Sequence, residues 1–128
     1  MRYMLLIYMD EHALTEAERN DCYQESAQLT RDLDAAGQYL ATAPLHPTST
    51  ATSVRVRDGR SLVTDGAFAE TREQLGGYFL VDAADLDEAL AIAARIPGAR
   101  KGTVEVRPII EVAGLPDKAR PQPIEEKA

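Results

Sequence analysis

The chain has 128 residues, a formal net charge of −7 and a pI near 4.8, so it lacks the clustered positive charge that nucleic-acid binding rests on, and DNA or RNA is excluded as its main partner. No apolar run approaches the ~18 residues of a membrane span, MRYMLLIYMD has neither the length nor the cleavage site of a secretory signal, and the lone cysteine, Cys22, allows no internal disulfide; a cytoplasmic protein without membrane attachment is expected. Twenty residues are Ala, whereas Leu, Ile, Val and Phe together number 28, a modest supply for one domain that predicts a homodimer sharing buried surface.

Residues 2–9, RYMLLIYM, are apolar at consecutive positions, which in so short a run predicts a central strand buried on both faces. Thr15 followed by Glu18 is a capping-box pattern, and Cys22, Ser26, Leu29, Leu33 and Ala36 then recur at spacings of four and three before Gly37. This predicts an amphipathic helix with Cys22 as an inert thiol on its buried stripe. A short strand near 38–43 comes next, and Pro44 and Pro47 bracket Leu45 and His46 in a stiffened loop. Val54 and Val56 alternate with Arg55 and Arg57 as in a half-exposed strand, and Asp58-Gly59 supplies the tight turn of a hairpin returning through 60–65.

Gly76 and Gly77 lead into Tyr78, Phe79, Leu80 and Val81, a second central strand apolar on both sides. Asp85, with Glu88 three positions on, is an N-cap candidate, and Leu86, Ala89, Leu90, Ala93 and Ile96 form the face of a second helix ended by Pro97-Gly98. Val104 and Val106 stand opposite Glu105 and Arg107 in a last strand over 103–107, and Pro108 predicts an edge or bulge. One domain is expected over 1–112, with an irregular tail over 113–128 carrying Pro116, Pro121 and Pro123.

The order strand, helix, strand, hairpin, strand, helix, strand is that of an α+β, ferredoxin-like split βαβ fold with an inserted β-hairpin. Two helices cover only one face of such a sheet. Leaving the other apolar face in water costs roughly 25 cal/mol per Å², and the sheet of a second subunit is its simplest cover.

Several side chains could carry chemistry on that frame. Asp65, where a strand runs into a Gly-containing turn, is either a carboxylate held at a cleft mouth or a cap of its own turn. Glu105 and Arg107 share a strand face about two steps of strand rise apart; as a pair they would clamp an anionic substrate and move a proton, and otherwise they form a surface salt bridge. Histidine is the side-chain type best suited to proton transfer near neutrality, yet the loop position of His46 favours a solvent-facing role. Glu70, with Arg72 and Glu73, reads as a solvated charged face or as part of a binding loop. Tyr78 either lines a cavity through its hydroxyl or is core. His12, beside Asp10 and Glu11, reads as a solvated loop residue; no metal-binding spacing and no cofactor fingerprint is present.

The run DGAFAETREQLGGYFLV at 65–81 resembles the signature DGPFAETKEQLGGYYLI of the DGPF-type branch of the YCII-related proteins. MRYMLLIY, STATSVRVRDG at 49–59, DLDEALAIAARIPGA at 85–99 and TVEVRPI at 103–109 keep that family's order, so the resemblance spans residues 1–112. It implies a dimeric α+β barrel, a small bacterial protein that binds an unknown small molecule, and association with extracytoplasmic-function sigma factors. The alternative it implies is a metal-free acid–base lyase or isomerase. That enzyme would use Asp65 and His46 for catalysis, with Glu105, Arg107, Glu70 and Tyr78 around the substrate. Two positions depart from the pattern: Ala67 replaces a Pro, and Ala43, within ATAPLHP, stands where relatives tend to carry Glu.

Overall fold

The computed structural model describes residues 1–116. Its strands are β1 (Arg2–Met9), β2 (Tyr39–Pro44), β3 (Thr52–Arg57), β4 (Arg60–Asp65), β5 (Gln74–Asp82) and β6 (Thr103–Pro108). Its helices are α1 (Glu16–Ala35), α2 (Leu86–Ala94) and the single turn α3 (Gly98–Lys101). β2, β5, β1 and β6 form one antiparallel sheet in that order, the arrangement of a ferredoxin-like α+β fold, and β3 and β4 form a separate ribbon. Among the described residues no helix is long and apolar enough to cross a membrane. Residues 113–116 are exposed and irregular; the remainder of the expected tail lies outside the described residues.

Local chemistry fixes the ends of the elements. The Thr15 hydroxyl accepts from the Glu18 backbone N–H while the Glu18 carboxylate accepts from the Thr15 N–H, which closes the capping box of α1. At the other end Gly37, with φ +74, lets the Gln38 N–H donate to Leu33 and the Gly37 N–H to Asp34, so the last carbonyls are satisfied in a Schellman motif. Asp85 caps α2 by accepting from the Glu88 N–H. Asp58 and Gly59 both take positive φ, 52 and 74, giving the hairpin the turn that matches strand twist.

The core lies between the sheet and the helices. Tyr3, Leu5, Phe79 and Val81 point from the central strands onto Leu29 and Leu33 of α1 and onto Ala89, Ile92, Ala93 and Ile96. Each large side chain so buried contributes about 1.5–3 kcal/mol. β1 and β5 are therefore buried on one face only: Met4, Leu6, Tyr8, Tyr78 and Leu80, which alternate with the core positions, remain half-exposed on the open face.

Four expectations need correction. The α2 stripe is rotated from the one expected, because the helix docks through Ala89, Ile92 and Ala93 and leaves Leu86 and Leu90 in solvent at 49% and 47% exposure. Pro97 does not end the helical region; it caps the extra turn α3, whose Arg100 donates to both carboxylate oxygens of Glu25 on α1. Val54, Val56 and Val63 are all exposed, since the β3–β4 ribbon stands outside the four-stranded sheet, with the Arg55 guanidinium over the Phe68 ring at 4.8 Å; a half-exposed strand was expected. Finally, Cys22 is half-buried and Ala36 is exposed, because only the middle of the α1 stripe reaches the core.

Candidate functional site

Three adjoining cavities lie against α1. The first, about 270 Å³ and partly open to solvent, lies between α1, the helix-facing side of the sheet and the 96–98 turn, and none of its lining residues is charged. Small residues create it. Gly77 opposes Ile7 in the β1–β5 register and offers no side chain to the helix, Gly76 is skipped at a β-bulge, and Cys22, Ser26 and Ala27 leave room on the α1 side.

The second cavity, about 280 Å³, shares Met9, Cys22, Tyr23 and Gly76 with the first and adds Asp10, Glu11, Arg19 and His46. The third is a groove of about 670 Å³ that shares Glu11, Arg19 and Pro47 with the second and is walled by His12, Asp65 and Glu70. An uncharged cavity, a mixed one and an open polar groove thus adjoin along the same side of α1.

The charges around the second cavity are unequally engaged. Glu11 spends both carboxylate oxygens on Thr48, accepting from its backbone N–H at 2.6 Å and its hydroxyl at 2.7 Å. The Glu11 N–H in turn donates to Gln74 at 2.9 Å, so the 10–12 loop, the 48–50 turn and the start of β5 are laced together. Asp10 accepts from the His12 N–H at 2.9 Å. Arg19 is half-buried on the first turns of α1; its backbone N–H donates to the Thr15 carbonyl, whereas its guanidinium makes no hydrogen bond or ion pair among the described residues.

The residues singled out from the sequence fall into three places. Asp65 and Glu70 line the outer groove, both exposed. The Asp65 carboxylate does not cap its turn. The Ser53 hydroxyl donates to the Gly66 carbonyl at 2.8 Å and the Gly66 N–H to the Ala51 carbonyl at 2.8 Å, which hold the turn without it. His46 lines the middle cavity, exposed. Glu105, Arg107 and Tyr78 lie on the open sheet face: Glu105 pairs with Leu6, Arg107 with Met4, and Tyr78 stands between Leu6 and Ala43. Glu105 and Arg107 are exposed and make no salt bridge with each other. Within one chain, then, the sheet separates that trio from the cavities against α1, while Asp65 and His46 occupy neighbouring cavities without a hydrogen bond between them.

Arg19 and Tyr23 are not singled out in the sequence, and Cys22 is read there only as an inert thiol. Their signal was available: on a helix, positions i, i+3, i+4 and i+7 share a face, so Arg19, Cys22, Tyr23 and Ser26 form one stripe with a cation at its solvent end.

The antiparallel order of the main sheet, with helices on one face, defines a ferredoxin-like α+β protein. The chain belongs to the YCII-related domain family, whose model matches residues 1–113. An uncharacterized protein of Rhizobium meliloti (strain 1021) is 39% identical over 118 residues, which cover 85% of this chain and 92% of that relative.

Proposed function

We propose that the protein is a small-molecule-binding homodimer whose ligand enters between α1 and the sheet. The observation that carries this reading is the uncharged inner chamber of about 270 Å³, well above the roughly 150 Å³ of a dry apolar cavity that holds benzene. A predominantly apolar cleft of this kind is the usual setting of a small-molecule site. The dimer half rests on Met4, Leu6, Tyr8, Tyr78 and Leu80, which leave an apolar, half-exposed sheet face opposite the helices. A cytoplasmic setting beside an extracytoplasmic-function sigma factor, as family resemblance suggests, suits a metabolite-sensing role.

The test is a thermal-shift screen against a metabolite library. A ligand at about 100 times its dissociation constant stabilises the fold by about 2.7 kcal/mol; a library without a single stabilising compound would count against binding. Sedimentation of a stable monomer would remove the dimer.

Acid–base catalysis by Asp65 with His46 is the second reading, favoured by the adjoining cavities that the two line, whereas Glu105 and Arg107 lie across the sheet from Asp65. Turnover that disappears in Asp65→Asn while the fold persists would place it first.

A further inference from the structure

The binding reading leaves the class of ligand open, and the side chains at the chamber mouth narrow it. Beyond the inner chamber the first charged groups are Asp10, Glu11 and Arg19. The two acids already accept hydrogen bonds from the loop they organise: Glu11 through both oxygens from Thr48, Asp10 from His12. Arg19 has no such engagement among the described residues, although it is half-buried and lines both the middle cavity and the outer groove. A guanidinium held that way carries five donors in a planar fork suited to a carboxylate. Tyr23, one helical turn further along α1, lines the middle cavity and the inner chamber and so connects the fork to the apolar interior.

We infer that the ligand is a small amphipathic carboxylic acid, bound with its apolar body in the chamber between α1 and the sheet and its carboxylate on Arg19. The inference rests on the binding reading and goes one step past it. The uncharged lining rejects a second charge on the body, because a buried charge without a partner carries a large desolvation cost. The chamber volume suits a monocyclic aromatic or medium-length aliphatic group. Arg19 then acts as the selecting residue, since removal of one partner of a charge-assisted pair typically lowers affinity by about tenfold or more.

The experiment uses three matched probes on the full chain: octanoate, octanamide and octylamine, with calorimetric titration as readout. Octanoate should bind most tightly, and Arg19→Met should weaken it by about tenfold or more while leaving octanamide unchanged. Arg19→Lys keeps the charge without the fork and should fall between. Ala27→Leu, which adds bulk on the chamber wall, should weaken octanoate and octanamide alike. Equal binding of octanoate and octanamide would overturn the role of Arg19 while leaving a ligand chamber in place. Preference for octylamine would overturn it in favour of Asp10 and Glu11. Failure of all three probes, or binding indifferent to Ala27→Leu, would overturn the chamber and the inference together. Unchanged melting of the free Arg19 variants serves as the folding control.

Discussion

Glu11 and Thr48 form a two-point clasp, with one carboxylate oxygen on the Thr48 backbone N–H and the other on its hydroxyl. Hydrogen bonds to an ionised acceptor contribute about 1.5–3 kcal/mol each when their partners are shielded from water. Glu11→Ala should therefore lower unfolding free energy by about 2 kcal/mol, and hydrogen exchange at the Thr48 amide should accelerate more than exchange in β1. Thr48→Val removes only the hydroxyl contact and should cost less. Equal losses would show that the side-chain contact, not the backbone one, carries the clasp.

The capping box of α1 predicts both a mutant effect and a pH effect. Thr15→Ala should destabilise by about 1 kcal/mol. Glu18, held below its usual carboxyl range first by the Thr15 backbone N–H and then by the Thr15 hydroxyl, contributes stability that is fully present above the ordinary value of 4.5. That contribution disappears as pH falls through the lowered folded value. Denaturant titrations from neutrality down to acid should thus differ between the natural chain and Glu18→Gln at neutral pH and converge in strong acid.

Two glycines test packing from opposite directions. A Cβ on Gly102 would stand 2.1 Å from the Tyr8 carbonyl oxygen, a backbone atom that cannot turn aside, so Gly102→Ala should cost about 3 kcal/mol or more by forcing β6 away from β1. A Cβ on Gly98 would meet the Ile7 Cγ2 at 2.5 Å, a side-chain atom. Gly98→Ala should cost about 1–3 kcal/mol. Combined with Ile7→Ala it should cost less than the sum of the two single changes, as a double-mutant cycle in urea would measure.

Cys22 offers a reporter of chamber occupancy. Its half-buried thiol lines both the inner and the middle cavity, so modification by a thiol reagent should proceed in the free protein and slow as octanoate is added. A rate that ignores octanoate would place the bound probe elsewhere.

The open sheet face gives the fourth structural test. Leu6→Glu adds a charge among Met4, Tyr78 and Leu80 without touching the core, because Leu6 alternates with the buried Leu5. Sedimentation should shift toward monomer while the helical circular dichroism is retained; an unchanged association state would remove this face as the interface.

What could be read from the sequence was mostly local. The Thr15–Glu18 box, the Gly37 stop, the Asp58-Gly59 turn and the Asp85 cap each depend on residues within a few positions of one another, and each forms as expected. The phase of α2 was not legible, because Leu86 and Leu90 fit a helical face as well as Ile92 does, and only docking on the sheet chooses between them. The strand faces of Glu105 and Arg107 were legible, but their separation from Asp65 was not, since the sequence carries no information on which side of the sheet the 65–77 segment returns. The chamber is not legible for a related reason: it lies where Gly76 and Gly77 carry no side chains, beside a helix whose small residues give no signal in isolation.

The β3–β4 ribbon has a further consequence. Ala51 and Gly66 are already joined by a hydrogen bond at its base, so residues 52–65 leave and re-enter the domain through a single narrow gate. Excising them and splicing Ala51 to Gly66 requires no rerouting of the four main strands. The ribbon is in that sense an appendage of the four-stranded scaffold, attached at one point.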